Sequence, residues 1–278
     1  LVIVLNPDLV TWDSADIDVK QAMYELMVYR CYYGMPEDKR PIGPGFGLSL
    51  HLDSGNSDSI SASAINNSFI KRFDNPNASW DIGGYVDAKN GVTYTWTKRI
   101  VDNLITHCKT YTVNKPYANK YTAMMRDEDT QIFPDVDATD WDLRELMYQS
   151  GGNSWVADTN GVVTRHSQRT LLRTSATSDL LQESNMRTLS QLVYMLQNKL
   201  DTYLLEYDDD GVLKTMSDEC NAMFNGWVGS RVSSLSIRFE RDTNIDGGDI
   251  VVCYVDVTFR GLILRIPIIV NVNKRTNS

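Results

Sequence analysis

The chain has 278 residues, 42% of them hydrophobic and 10% aromatic, which is enough apolar surface for a sizeable core and excludes a wholly disordered protein. Acidic residues outnumber basic ones by 36 to 27, giving a net charge of −9, and a surface of that sign repels phosphate backbones, so nucleic acid is excluded as the main partner. No run of about 18 uninterrupted apolar residues occurs, so no segment reads as a membrane-spanning helix and no membrane insertion is expected.

In chain order, Leu1-Val2-Ile3-Val4-Leu5 is a short apolar run that reads as a buried strand. It lacks an initiating Met and a basic leader, so the expectation is a fragment of a longer protein rather than a signal peptide. From Asp18 to Tyr33 the residues Val19, Met23, Leu26, Met27 and Arg30 recur at helical spacing, with Gly34 and Pro36 as stops. A strand followed by a helix points to a parallel, covered sheet. Between Arg40 and Ser79 the composition turns to Gly, Ser, Asn and Pro, and Ser54–Ser63 reads as a long surface loop.

Asn90-Gly91 between Asp81 and Trp96 predicts a hairpin. Thr97 is the expected cap of a helix whose Ile100, Val101, Leu104, Ile105 and Cys108 share a face, ended before Lys115-Pro116. After an acidic stretch, Trp141, Leu143, Leu146 and Met147 predict a short helix stopping at Gly151-Gly152. A longer helix carries Leu189, Leu192, Val193, Leu196, Leu200, Tyr203 and Leu204 on one stripe, with Ser184 or Asn185 as cap. A second helix follows Asp210-Gly211 through Met216, Cys220, Met223 and Trp227. Three strands close the chain: Leu235–Glu240, Ile250–Phe259 and Leu262–Asn273, the first two joined through Asp246-Gly247-Gly248.

Few residues suggest chemistry. Cys31, Cys108, Cys220 and Cys253 lie far apart without a CxxC pair, which argues against a zinc site or disulfide framework and fits a reducing compartment. His51, His107 and His166 sit in no catalytic signature, and Ser154 lacks the glycine of a nucleophile elbow. Gly43-Pro44-Gly45-Phe46-Gly47 has the wrong flanks for a phosphate loop and reads as a turn. Asp208-Asp209-Asp210-Gly211 places Glu219 at a calcium-loop position but lacks the spaced ligands between, so it reads as a solvated turn. Tyr111, Tyr117 and Tyr121 alternate with Lys109, Lys115 and Lys120 in a way that suits stacking on single strands, a reading the overall charge disfavours. No catalytic, cofactor-binding or metal-binding residues are assigned, and no enzyme is expected.

Two features suggest association. The last strand carries Leu262, Leu264, Ile266, Ile268, Val270 and Val272 on one face, and Pro267, which cannot donate to a ladder, marks an edge or a bulge. Such an edge either pairs with another chain or is covered by further residues of its own. The acidic residues Asp127, Glu128, Asp129, Asp135, Asp137, Asp140 and Asp142 form an exposed face or meet a basic patch on a partner.

Several short motifs recur in order. They are Lys115-Pro116-Tyr117-Ala118, Gly151-Gly152-Asn153, Asn160-Gly161, Arg169-Thr170, Glu183-Ser184-Asn185-Met186-Arg187, Gly211-Val212-Leu213, Trp227 and Asp246-Gly247-Gly248-Asp249 before the closing apolar strand. Their succession over residues 115–273 resembles the contractile tail sheath proteins of bacteriophages, in which such segments lead through a hairpin to an Arg-Thr pair and a long helix. A Pro-Pro-Ser-Gly run is missing and His166-Ser167-Gln168 stands where the family often has Trp-Gly, as in a remote member from a large phage. The resemblance implies a mixed α+β and α/β fold: a partial βα-type sheet region over residues 1–113, then over 114–278 a module of two helices and a three-stranded antiparallel sheet.

The resemblance also implies a structural subunit that polymerises around a tail tube and contracts to drive it through the host envelope. Its partners would be copies of itself, the tail tube protein, and baseplate and tail-terminator proteins, with no cofactor. Its place would be the virion tail, and the host cytoplasm during assembly. Another virion tail component, tube or baseplate, is the alternative, ahead of an unrecognised enzyme.

Overall fold

The computed structural model describes residues 2–5, 49–53, 76–87, 89–125, 131–133, 141–172, 178–203, 209–241 and 251–261. The chain divides into two compact units, Leu1–Val212 and Leu213–Ser278. The expected helix at 18–33, the Ser54–Ser63 loop, the glycine turn at 43–47 and the strand Leu262–Asn273 lie outside the described residues.

The first unit opens with a parallel sheet, as the first strand suggested. Strands β1 (Val2–Leu5), β2 (Ser49–Asp53) and β3 (Ala78–Asp81) are parallel neighbours, and β3 pairs in parallel with a later strand. All four residues of β3 are buried. The Asn90-Gly91 hairpin is present between β4 (Gly84–Val86) and β5 (Thr93–Thr95), antiparallel with Tyr85 opposite Tyr94. Asp87 organises its turn: its carbonyl accepts from the Gly91 N–H at 2.8 Å and its N–H donates to the Val92 carbonyl at 2.9 Å. Gly91 stands at φ +65°, a region that favours glycine.

Helix α1 (Trp96–Tyr111) begins one step earlier than expected. Thr95, not Thr97, is its cap, accepting from the Lys98 N–H, while Thr97 is buried inside the first turn. The buried face is Trp96, Ile100, Leu104 and His107; Ile105, expected to share it, is 55% exposed. Two short strands follow, β6 (Met124–Met125) and β7 (Gln131–Phe133), the latter completing a three-stranded sheet beside β4. Helix α2 (Trp141–Gln149) ends at Gly151 (φ +87°), whose N–H donates to the Tyr148 carbonyl.

Strand β8 (Gly152–Asn153) is the fourth member of the parallel sheet, against Trp80 and Asp81 of β3. A side chain on Gly152 would overlap that of buried Ile82, so only glycine fits there. Strands β9 (Trp155–Ala157) and β10 (Val162–Arg165) form a hairpin, with β6 on the outer side of β10. Asp158 ties its turn by accepting from the Asn160 and Val162 N–H groups, each at 2.8 Å. Helix α3 (Glu183–Leu200) starts after Gln182, which makes no side-chain cap; Ser184 and Asn185, the expected caps, are buried helical residues. Leu192 and Leu196 are its buried leucines, but its first two turns bury mostly polar side chains, a feature the leucine stripe did not reveal.

The core of this unit is aromatic. Trp96 stacks on Trp155 with ring centroids 4.4 Å apart and planes 8° from parallel, and Tyr85 stacks on Trp96 at 5.0 Å. Ile100, Leu104, Tyr117, Ile132 and Val163 fill in around them. Such stacked pairs add about 1 kcal/mol each to the gain from burial alone.

In the second unit, helix α4 (Asp210–Phe224) is capped by Asp209, whose carboxylate accepts from the Val212 N–H at 2.8 Å. Its buried Met216, Cys220 and Phe224 follow helical spacing, and Trp227 packs edge-on against Phe224 in the 3-10 turn Asn225–Trp227. Strands β11 (Val232–Arg241) and β12 (Val251–Phe259) form a long antiparallel ribbon, as predicted.

Candidate functional site

The expected linking residues, Leu262, Leu264, Ile266, Pro267, Ile268, Val270 and Val272, lie outside the described residues, as do Asp127, Glu128, Asp129, Asp135, Asp137 and Asp140 of the acidic face. Asp142 is described, and is exposed in the first turn of α2, where a carboxylate suits the positive end of a helix. What is described is the ribbon immediately before residue 262, and a buried charge cluster that no sequence spacing marks.

In the ribbon, Leu235, Ile237 and Phe239 stand opposite Val257, Val255 and Cys253 on one face, while Ser234, Ser236 and Arg238 stand opposite Thr258, Asp256 and Tyr254 on the other. Helix α4 meets β11 by its edge. The Asn221 amide accepts from the Ile237 N–H at 3.0 Å and donates to the Ile237 carbonyl at 2.7 Å, and Ser217 donates to the same carbonyl at 2.9 Å. Asn221 thus fills, for one residue, the place of a neighbouring strand. Facing residues of an antiparallel pair exchange both backbone bonds or neither. Ile237 and Val255 therefore exchange none, and the Val255 backbone groups point out from the other edge, that of β12. Burial also pushes the Cys253 thiol up to about 11, so it stays a protonated, inert sulfur.

The charge cluster is built on Arg165 at the end of β10, fully buried at 0% exposure. Its five N–H groups have five acceptors. The ε and one η nitrogen donate to the two carboxylate oxygens of Asp81, each at 2.7 Å. The η nitrogens also grip both oxygens of Glu183, one bond at 2.9 Å, and the fifth N–H donates to the Tyr117 carbonyl at 3.2 Å. Asp81 further accepts from the Trp155 indole at 3.0 Å, and Glu183 from Asn153 at 3.4 Å and Arg187 at 3.3 Å. Arg187 in turn donates to the Val113 and Lys115 carbonyls. One guanidinium thereby ties β3, β9, β10, α3 and the segment after α1.

Burial pushes the Asp81 carboxyl up to about 6 against the opposing pull of Arg165, with Glu183 adding to the rise. The two carboxylates hold the Arg165 guanidinium charged, against the burial that opposes it. The motifs behind the family resemblance surround this cluster: Lys115 and Tyr117 offer carbonyls, Asn153 binds Glu183 and the Arg169 backbone, and Glu183 and Arg187 open α3. Arg169 itself lies over the Tyr148 ring, and Thr170 ties its hydroxyl and N–H to the segment before α3.

The histidines are placed apart from any nucleophile-base pair. His107 donates to the Lys115 carbonyl at 3.2 Å and lies under Tyr111, Tyr117 and Tyr121 at centroid distances of 5.2, 5.1 and 5.3 Å, so these rings pack on one another rather than along a strand. His166 accepts from Arg144, and burial with that neighbouring cation pushes it down to about 4, leaving it neutral at pH 7. Among the described residues no group of side chains is arranged to hold a metal ion, and no helix is long and apolar enough to cross a membrane.

No protein-family model and no curated protein sequence matches the chain. Solved structures do. The sheath complex of PVC, an extracellular contractile injection system, in its contracted state aligns with a TM-score of 0.65 at 11% identity over 82% of this chain and 65% of that one. The baseplate of the anti-feeding prophage aligns at 0.63 and 13% identity over 94% of this chain and 67% of that one, and its contracted helical sheath at 0.61 and 14% over 83% and 63%. The chain spans about two thirds of the length of these structures, which belong to structural sheath and baseplate assemblies rather than to enzymes. At such identities the likeness is one of fold, and the fold of this chain is that of contractile-injection-system sheath proteins.

Proposed function

We propose that the chain is part of the subunit of a contractile sheath, of the bacteriophage-tail kind, that polymerises around an inner tube and shortens to drive the tube through a host envelope. The observation that supports it most is the fold likeness to two contracted sheaths over more than four fifths of the chain. The ordered motifs of residues 115–273 support it separately, since they belong to the sequence alone. On this reading the subunit meets copies of itself, a tube protein and baseplate and terminator proteins, in a virion tail assembled in the host cytoplasm. Residues 1–113 would be part of the sheet region and 114–278 the polymerising module.

The ribbon gives the polymer reading a physical form. With the middle of the β11 edge occupied by Asn221, β12 is the edge at which a further strand adds. Leu262–Asn273, which follows Gly261, would be the link between neighbours that persists while subunits slide, and acidic faces such as Asp127–Asp142 would exchange partners. Rigid subunits exchanging contacts between two lattices are a known mode of large structural change.

Negative-stain electron microscopy of the full-length parent protein, expressed alone, tests the reading: long hollow tubes are expected. Uniform small particles at high concentration would sink it and favour a baseplate role, the second reading, for which the baseplate alignment over 94% of the chain speaks. Removal of the residues after Gly261 from the full-length protein is expected to abolish tubes; normal tubes would refute the linking strand.

A further inference from the structure

The segment between α1 and the 3-10 turn Asn119–Tyr121 forms a strap whose first residue is strained. Thr112 stands at φ +72° and ψ 158°, a region that essentially only glycine enters, and it carries a β-branched side chain there. Such a residue persists only where its surroundings hold it. On the helix side, the Thr112 N–H donates to the Cys108 carbonyl at 3.0 Å. On the strap side, Arg187 from the start of α3 donates through its ε nitrogen to the Val113 carbonyl at 3.3 Å, and through an η nitrogen to the Lys115 carbonyl at 3.2 Å. His107 shares the Lys115 carbonyl, and Arg165 holds the Tyr117 carbonyl further on. Lys115 precedes Pro116, which biases it to extended backbone and leaves the strap little slack over which to spread strain. Thr112 and Lys115 are exposed and Val113 is half-buried, so the middle of the strap can lift into water without opening the aromatic core.

We propose that residues 112–116 are a spring-loaded strap latched by Arg187: held by Arg187, the strap is closed with Thr112 strained, and released, Thr112 returns to ordinary backbone while the Val113 and Lys115 carbonyls turn to water. Arg187 is the latch because it donates at Val113, next to the strained residue, and because one guanidinium spans both carbonyls, so that its withdrawal frees two acceptors together. Its other η nitrogen stays on Glu183 at 3.3 Å, which aims the guanidinium from α3. The device couples the start of α3 to the end of α1. A shift of Arg187 releases the strap, and by the same linkage an opened strap frees Arg187 to move. This inference stands on the first unit alone and does not depend on the sheath reading.

The test is a double-mutant cycle on the full chain, read as the unfolding equilibrium of the first unit in denaturant. Thr112→Gly and Thr112→Ala both lose the hydroxyl bond to Asn114, so their difference isolates the Cβ that strains the backbone. With Arg187 in place, the glycine variant should exceed the alanine variant by about tenfold in folding equilibrium constant. Arg187→Lys keeps a cation for Glu183 but cannot span two carbonyls, and in that background the glycine advantage should shrink to about twofold or reverse. Arg187→Met repeats the comparison without the cation. Amide exchange of Lys115, whose N–H donates to the Thr112 carbonyl at 3.3 Å, should accelerate several-fold in Arg187→Lys while the amides of β9 and β10 keep their rates. No glycine advantage with Arg187 in place would show that Thr112 is not strained. An undiminished advantage in both Arg187 variants would show that Arg187 does not hold the strain, and equal acceleration at Lys115 and in β9 and β10 would make the opening global. Each of these results overturns the proposal.

Discussion

The charge cluster of the first unit and the ribbon of the second solve the same problem, that of satisfying polar groups away from water, in opposite ways. Around Arg165 every donor meets an acceptor of the same unit, and the side chain is closed to solvent. In the ribbon, Asn221 satisfies the outward backbone groups of one residue on β11, and the side chains of both strands are mostly exposed or half-buried. A saturated cluster fixes a body internally and offers nothing to a neighbour. An edge residue bonded by a side chain of its own unit closes that side to strand addition, and nothing in this device closes the other side. On the proposed sheath reading, in which a subunit stays intact while its contacts change, the first arrangement would suit the body and the second the link.

Removing the cation is the sharpest way to break the first half of that comparison. Arg165→Met leaves two buried carboxylates facing each other without their shared guanidinium, which should cost about 3–5 kcal/mol and unfold the first unit well before the ribbon. Denaturant unfolding followed by exchange in segments 78–82 and 232–241 would separate the two. Equal loss in both would mean that the cluster does not belong to one body.

Acid sharpens the same half. Burial holds the Asp81 carboxyl at about 6 in the fold, above the ordinary 3.8, so protonation is favoured by folding. Its contribution is complete below about pH 4 and lost as pH rises through about 6, amounting to about 3 kcal/mol at most. Between pH 7 and pH 5 the first unit should therefore gain stability relative to Asp81→Asn, which has no carboxyl there to protonate. A wild-type curve that falls in parallel with the variant would contradict the sign.

How much of this was legible in the sequence depended on whether a residue acts through its neighbours in the chain. The Asn90-Gly91 hairpin, the helix after Thr95, the leucines of α3 and the alternation of β11 and β12 are local patterns, legible to within a few residues. The Thr97 and Ser184/Asn185 caps were misplaced because capping depends on where the backbone turns, and in α3 tertiary packing drew Ser184 and Asn185 into the buried face. Asp81, Arg165 and Glu183 lie 84 and 18 residues apart, and no spacing rule joins them. The available signal is indirect: Asn153, Glu183 and Arg187, which belong to the cluster, fall within the motifs that carry the family resemblance, and the cluster supplies their physical reason. Asn221 was equally silent, since an amide on a half-exposed helix face is ordinarily solvated.

The ribbon half of the comparison breaks at Asn221. Asn221→Ala strips the Ile237 N–H of its acceptor and exposes a second strand edge, and should cost about 1–3 kcal/mol in the second unit. The same change should raise self-association, since the β11 edge is then open to strand addition. Analytical ultracentrifugation across concentration reads this, and a variant that stays as monodisperse as the parent would show that Asn221 stabilises without guarding the edge.

The smallest expected effect calibrates the others. Lys98 and Asp102 form an ion pair at 2.5 Å on α1, each side chain 53% exposed. Its geometry is as close as that of the buried cluster, yet water screens both charges, and both side chains lose rotamer freedom in meeting. Lys98→Ala should therefore change stability by no more than about 0.5 kcal/mol, an amount that shrinks further in high salt. A loss rivalling that of Arg165→Met would mean that distance alone governs these pairs. The contrast expected is that burial and the count of satisfied partners govern them, which is why Arg165 and not Lys98 holds the unit together.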